Sequence, residues 1–219
     1  MSSAHRDSPG FPFGARATWR TAIYPARWLS RMFPLEVEHR GLPPGPAVVA
    51  ANHFSHLDPV VVGIAAERPI RYLAVDELFG RSRFFDGLTQ WLGAIPMSRT
   101  RVPLGALRLA LAELRDGGSV GLFPEGVRVW TWGEVEPKRG AAWLALRAGV
   151  PLVPIAIAGT DQAMGRGATR ISRAAMAATV CEPVDPADHT GRDGAAAMTA
   201  EWARRIDAAL DSIYARWHE

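Results

Sequence analysis

Short apolar, β-like runs alternate with helical patterns along most of this chain, and no other feature limits its possible folds so strongly. Gly117–Gly118 and Gly149 stand where a helical pattern stops and an apolar run begins, as glycines that cap helices do. Strands that alternate with helical crossovers favour parallel pairing. We therefore predict an α/β fold with a largely parallel, possibly mixed, central sheet flanked by helices.

The predicted elements follow one another without an internal repeat or a linker, so residues 35–219 are predicted to form a single domain. The predicted strands are Leu35–His39, Ala47–Ala51, Ile70–Ala74, Ala94–Met97, Val120–Phe123, Val153–Ala158 and Ala178–Glu182. The predicted helices are Val60–Ala66, Arg81–Leu92, Leu104–Arg115, Arg139–Ala148 and Ala195–Arg216.

The amino-terminal region differs from the rest of the chain. Residues 1–14 are rich in Ser, Pro and Gly and are predicted to be disordered. Over residues 15–34, apolar side chains fall within an arc of roughly 80° and arginines within roughly 60° on another face. We predict an amphipathic helical region that associates with an anionic membrane surface; a helix packed on the core would show the same pattern, and Pro25 would kink it. The apolar residues are Trp19, Ala22, Ala26, Leu29 and Phe33, and the basic ones are Arg16, Arg20, Arg27 and Arg31.

Composition excludes several classes of protein. With one cysteine, the 219-residue chain cannot hold an internal disulfide or a Cys-rich zinc site. Its net charge of +3 is too small for a strongly basic nucleic-acid binder, so no nucleic-acid partner is predicted. No charge-free apolar stretch reaches the ~18–20 residues of a transmembrane helix, and no signal peptide is recognisable. We expect a peripheral protein on the cytoplasmic face of the plasma membrane.

A polar cluster follows the second predicted strand directly. His53 follows the end of the strand, and Asp58 comes five residues later. At this spacing, a strand–loop–helix turn can bring the two side chains together. Asp58 could then hold one ring nitrogen of His53 and leave the other as a base. Asp58-Pro59 is also a good helix N-cap, and a metal site that uses His53, His56 and Asp58 is an alternative.

The sequence offers a weak candidate for a protein nucleophile. Gly117-Gly118-Ser119-Val120-Gly121 fits the G-x-S-x-G elbow of serine hydrolases, but that elbow needs a strand before the serine and a helix after it. Here the order is reversed, so we interpret the segment as a turn and keep a Ser119 hydrolase as an alternative. Cys181 lies on a late predicted strand and is expected to be core. The natural partner of His53 is then a hydroxyl on a bound substrate, which predicts group transfer to an alcohol.

Two further clusters follow predicted strands. Arg99 and Arg101 come after one strand, and Pro124-Glu125-Gly126 with Arg128 come after another. Ligands bind at the carboxyl ends of strands in open α/β sheets, and arginines from two neighbouring strand ends could clamp one phosphate.

Taken in order, these clusters resemble the motif blocks of the glycerolipid acyltransferase family, whose best-known members are the 1-acylglycerol-3-phosphate acyltransferases. The resemblance covers roughly residues 35–165. Its four main blocks are Asn52–Asp58, Gly93–Arg99, Phe123–Gly126 and Val153–Ala156, and Asp76–Phe79 and Lys138–Ala142 match two intervening elements.

The resemblance implies a role for each matching residue. His53 would be the general base and Asp58 would orient it. The residues implied to bind substrate are Asn52, Arg99, Glu125, Gly126 and Arg128, with Arg99 on the acceptor phosphate. The fourth block would shape the acyl site.

The same resemblance implies a fatty acyl transfer from acyl-CoA or acyl carrier protein to a lysophospholipid. The first acceptor is lysophosphatidic acid, giving phosphatidic acid in phospholipid biosynthesis, with no cofactor and no metal. Alternatives are the same chemistry on a glycolipid or phosphoinositol lipid, the Ser119 hydrolase, and non-catalytic lipid binding.

One segment departs from the family pattern. The family commonly continues its Phe-Pro-Glu-Gly block with Thr-Arg-Ser, whereas this chain has Val127-Arg128-Val129, followed by Trp130 and Trp132. Two hydroxyls that could contact a polar acceptor are therefore absent. The two tryptophans either contact lipid or the acceptor, or pack in the ordinary way.

Overall fold

The apolar runs of the sequence form the strands of one sheet. The structure, a computed structural model, describes residues 33–75, 95–97, 104–168 and 170–219. Within these ranges, seven strands form the sheet in the order β1-β7-β6-β2-β5-β3-β4. They are β1 (Leu35–Glu38), β2 (Ala47–Ala51), β3 (Arg71–Val75), β4 (Ile95–Met97), β5 (Ser119–Leu122), β6 (Leu152–Ala158) and β7 (Met176–Val180).

The described helices cover both faces of the sheet. They are α1 (Asp58–Ala66), α2 (Leu104–Arg115), α3 (Gly140–Ala148), α4 (Thr160–Met164) and α5 (Gly194–His218), with a 3₁₀ turn at Pro186–His189. Alternate residues of β2 point to opposite faces: Val48 and Ala50 pack with α2, α3 and α5, whereas Val49 packs with α1. Burial on both faces explains why β2 and β6 read as continuous apolar runs.

The sheet is parallel except at one pair of strands. β7 runs antiparallel to β6, with Ala158 opposite Ala177, and every other pair is parallel. This confirms the predicted α/β fold with a largely parallel, mixed sheet flanked by helices. Since β1 is parallel to β7, both strands begin at the edge where β2 and β6 end. The chain therefore enters the sheet, through Pro34, at that same carboxyl edge.

The predicted elements agree with the structure where it describes them. All seven strands are found, and the largest displacement is the two-residue shift of β7. The short α4 and the 3₁₀ turn were missed because five or four residues carry no helical period. Asp58 is the first residue of α1 and not its N-cap. The predicted helix Arg81–Leu92, the disordered residues 1–14 and nearly all of the amphipathic region 15–34 lie outside the described residues.

Within the described residues, no helix combines the length and the hydropathy that crossing a bilayer requires.

Trp202 and Trp130 offer a matched test of the packing. The Trp202 side chain is 1% exposed, and its Nε1 donates to the Ala50 carbonyl at 3.0 Å, whereas Trp130 is 60% exposed. We expect Trp202→Ala to lower the free energy of unfolding by about 3–5 kcal/mol and Trp130→Ala to change it by less than about 1 kcal/mol. Urea denaturation of both variants checks this, and equal losses would contradict the described packing.

Candidate active site

His53 and Asp58 form a hydrogen-bonded pair at the carboxyl edge of the sheet. His53 Nδ1 lies 2.7 Å from Asp58 Oδ2. Because a carboxylate accepts hydrogen bonds, this contact favours the tautomer with the proton on Nδ1. Nε2 is then the ring nitrogen that can take a proton from a substrate. The predicted meeting of these two side chains in a strand–loop–helix turn is confirmed.

The same carboxylate oxygen also organises the turn between β2 and α1. Asp58 Oδ2 accepts hydrogen bonds from the backbone N–H groups of Phe54 and Ser55, each at 2.7 Å. The carboxylate is fully buried and sits in the first turn of α1, where the positive end of the helix dipole favours negative charge. Asp58 therefore shapes the backbone of the turn and orients the imidazole with one atom.

Aromatic rings hold the plane of the His53 side chain. The imidazole stacks on Phe123, with ring centroids 4.0 Å apart. Phe123 in turn stacks on Tyr72 at 5.9 Å, and the Tyr72 hydroxyl donates to the Pro59 carbonyl at 3.0 Å. The His53 side chain keeps 18% of its surface exposed. It is thus fixed on one side and open to a substrate.

The backbone of His53 is tied to the loop after β5. Its N–H donates to Glu125 Oε1 at 3.2 Å, and its carbonyl accepts from the Val129 N–H at 2.8 Å. The two sequence clusters that follow β2 and β5 therefore form one assembly, as the edge of a parallel sheet predicts.

Glu125 brings a second carboxylate to this assembly. Its side chain is buried, and within the described residues Oε2 has no hydrogen-bond partner. Burial is the main cause that raises the pKa of Glu125 to about 7; the nearby negative charge of Asp58 acts in the same direction, and the backbone hydrogen bonds oppose both. This carboxyl group can accept from, or donate to, a polar group of a substrate near neutral pH.

A lysine lies against the turn that carries Glu125. Gly126 has φ +69°, and a Cβ built there would lie 2.8 Å from Lys138 Nζ. The Lys138 N–H donates to the Pro124 carbonyl at 2.8 Å, which fixes the lysine backbone beside the turn. Arg128, two residues after Gly126, is half-buried and makes contacts of its own. In the sequence, Lys138 belonged only to the family-like element Lys138–Ala142; its closeness to Gly126 depends on the fold.

Asn52 has a different place from the other predicted substrate-binding residues. Its amide is fully buried, with Nδ2 donating to the Ile157 carbonyl and Oδ1 accepting from the Ile157 N–H, both at 2.8 Å. These contacts brace the end of β2 against β6. They fit a positioning role for Asn52 better than the predicted contact with a substrate.

The remaining candidates lie elsewhere. Ser119 begins β5 opposite Ala47, so it sits at the far end of the sheet, about 20 Å from His53 at the usual rise of a strand. This placement contradicts the Ser119 hydrolase, because Ser119 and His53 cannot meet. Cys181 is half-buried beyond β7, and burial raises the pKa of its thiol to about 11. Arg99 lies outside the described residues.

Two smaller points complete the site. Trp132 packs edge to face on Trp202 with centroids 5.6 Å apart and donates to Asp207, so this tryptophan is ordinary packing. Over the residues for which the structure gives positions, no group of three or more His, Cys, Asp or Glu side chains has the geometry to hold a metal ion.

Known proteins are similar to this chain in sequence and in fold. A family model described as Acyltransferase matches residues 35–158, which include β1, β2, β5, β6 and the His53–Asp58 pair. Among curated proteins, the chain is 29% identical over 163 residues to the 1-acyl-sn-glycerol-3-phosphate acyltransferase of Bacillus subtilis, covering 73% of this chain and 78% of that protein. It is also 29% identical over 178 residues to the Haemophilus influenzae enzyme of the same name, covering 76% and 71%.

A solved structure shares the fold. It is the crystal structure of the 1-acyl-sn-glycerophosphate (LPA) acyltransferase PlsC from Thermotoga maritima, with a TM-score of 0.74, 22% identity, and coverage of 92% of this chain and 80% of that one. These matches confirm the resemblance to glycerolipid acyltransferases that the motif blocks predicted. Since the family model spans more than half of its length, this chain belongs to the Acyltransferase family.

Proposed function

We propose that this enzyme transfers a fatty acyl group from an acyl thioester to the free hydroxyl of a lysophospholipid, with lysophosphatidic acid as acceptor and phosphatidic acid as product. The observation that carries the proposal is the His53–Asp58 pair, held at 2.7 Å on the carboxyl edge of the sheet, at the opposite end from Ser119. The names of the bacterial relatives support the choice of acceptor.

The geometry of the pair supports a direct transfer without a covalent enzyme intermediate. The acceptor oxygen attacks the thioester carbonyl carbon while its proton passes to His53 Nε2. Asp58, bonded to Nδ1, stabilises the imidazolium. When the tetrahedral intermediate collapses, the C–S bond breaks and the imidazolium returns its proton to the leaving thiolate. The residues need no metal or cofactor for this sequence of steps.

The acceptor phosphate would bind on the side of the Gly126 turn. Lys138 Nζ lies against Gly126, Arg128 follows two residues later, and Arg99 would add a third positive charge. Guanidinium and ammonium groups are the usual partners of phosphate oxygens. We propose that Glu125 Oε2, buried and without a described partner, contacts a polar group of the acceptor.

The donor is proposed to be acyl-CoA or acyl carrier protein, and the protein is proposed to work on the cytoplasmic face of the membrane. Membrane association through residues 15–34 stays a prediction. A variant lacking residues 1–34 should bind anionic liposomes more weakly than the full chain if the prediction holds. Unchanged binding by a folded variant would contradict it.

The acceptor is tested by mass spectrometry of acylated products. The enzyme is given a panel of lysolipids (lysophosphatidic acid, lysophosphatidylinositol and a lysoglycolipid) with acyl-CoA or acyl carrier protein as donor. We expect phosphatidic acid as the main product. Preference for a glycolipid or phosphoinositol acceptor would overturn the proposed acceptor but not the reaction, and would fit the loss of two hydroxyls at Val127 and Val129.

The role of His53 is tested by substitution. We expect His53→Ala to lower kcat/KM by about 10²–10⁴-fold, the usual contribution of a general base. His218→Ala, an exposed histidine at the end of α5, and Ser119→Ala should leave activity close to that of the wild type. Near-normal transfer by a folded His53→Ala enzyme would contradict the mechanism.

Glu125 gives the protein a defined pH dependence. Because the pKa of Glu125 rises from 4.5 to about 7 on folding, the folded state binds more protons between those values. Its stability therefore falls as pH rises through that range. We expect the free energy of unfolding of Glu125→Gln to fall less between pH 5 and pH 8 than that of the wild type.

Urea denaturation at several pH values measures this difference. Glu136→Gln, which changes an exposed glutamate on the same connection between β5 and α3, serves as the matched control and should follow the wild type. If Glu125→Gln also follows the wild type, Glu125 has an ordinary pKa in the folded protein.

A further inference from the structure

Two loops flank the turn that holds His53, and each is bonded to that turn. Trp130 directly follows Val129, whose N–H donates to the His53 carbonyl at 2.8 Å. On the other side, Ser55 Oγ donates at 2.6 Å to the carbonyl of Met164, the last residue of α4. Arg166 comes two residues after Met164. The loops of Trp130 and Arg166 therefore share the edge of the sheet on which the proposed base lies.

Trp130 and Arg166 are in contact with one another. The Arg166 guanidinium carbon lies 5.2 Å from the centroid of the Trp130 ring, within the range of a cation–π interaction. The Trp130 side chain is nevertheless 60% exposed. Its backbone N–H donates to Glu134 Oε2 at 2.6 Å, so the loop is held in place. The exposed Trp130 indole and the Arg166 guanidinium above it therefore form a surface that is both apolar and charged.

The loop that carries Arg166 is strongly basic. Residues 165–175 include Arg166, Arg170 and Arg173 but no Asp or Glu, and all three arginines are exposed. Ile171, on the same loop, is 44% exposed. The Ser172 N–H donates to the Ala163 carbonyl at 2.8 Å, which returns the loop to α4. Three exposed arginines and one exposed isoleucine thus lie on one loop beside the site.

We propose that Trp130, Arg166 and the arginines of residues 165–175 dock the active-site edge onto the surface of an anionic bilayer. The indole would lie at headgroup depth, where tryptophan is enriched, and the arginines would pair with lipid phosphates. The proposal rests on the proposed function in one respect, since a lipid acceptor has to reach His53 from a membrane.

A lipid surface fits these side chains better than an acidic protein does. An acidic partner would account for the three arginines but not for Trp130 and Ile171, which expose large apolar groups beside them. An anionic bilayer accommodates both, because its interface offers negative headgroups and an apolar boundary within a few ångströms. Docking here would let the acceptor stay in the bilayer while its hydroxyl reaches Nε2.

A fluorescent probe at position 130 reports this contact independently of the amino-terminal region. Trp130→Cys and, as matched control, Trp143→Cys are each made in a full-length Cys181→Ser background and labelled with an environment-sensitive dye. Trp143 is another exposed tryptophan, on α3. On vesicles of phosphatidylglycerol and phosphatidylcholine, we expect a blue shift and a rise in emission at position 130 and little change at position 143.

Affinity measurements test the charge. Arg166→Ala should bind the same vesicles about five-fold more weakly, as for the loss of one basic residue near an anionic surface, and the difference should shrink at high salt. Arg147→Ala, an exposed arginine on α3, should bind like the wild type.

Three results would overturn the proposal: an unchanged dye signal at position 130 on vesicle-bound protein, equal changes at positions 130 and 143, or a change at 130 only with acyl carrier protein. Failure of the proposed function would look different. The enzyme would then bind vesicles through Trp130 and acylate no lysolipid in the panel, dispersed or membrane-embedded.

Discussion

The turn that carries His53 depends on one oxygen of a buried carboxylate. Asp58 Oδ2 takes hydrogen bonds from His53 Nδ1, the Phe54 N–H and the Ser55 N–H, each at 2.7 Å. A buried carboxylate is costly without hydrogen-bond partners, so the backbone of the turn and the Asp58 side chain depend on each other. The bond to Nδ1 also favours one tautomer of His53. The same oxygen thus fixes the backbone of the turn and the orientation of the imidazole.

The parallel strands extend this local arrangement to the rest of the site. β2, β5 and β6 all end at the carboxyl edge of the sheet. Glu125, Val129 and Ile157 therefore lie beside the turn that follows β2. Glu125 and Val129 bind the backbone of His53, and Ile157 holds Asn52. Movement of His53 would therefore disturb two neighbouring strand ends. A base on this frame is already oriented before a substrate arrives.

The sequence predicted what depends on near neighbours, and it missed what depends on the fold. Asp58 meets His53 because five residues form one tight turn, and the strands were recognisable because their apolar runs are buried on both faces. The stack of His53 on Phe123, and the approach of Lys138 to Gly126, join residues far apart in the chain. Trp130 and Trp132 differ for the same reason: Trp202, some 70 residues away, covers only Trp132.

The reversal of β7 has a consequence for how the enzyme could meet a membrane. Because β7 turns back beside β6 and β1 pairs parallel with β7, Pro34 stands at the edge that carries His53. Any segment before Pro34 therefore joins the domain at that edge, on which Trp130 and Arg166 also lie. In an all-parallel sheet the chain would enter at the opposite end. One antiparallel pair of strands thus places Pro34, where the predicted amphipathic region joins the domain, and the basic loop at the same edge as the base.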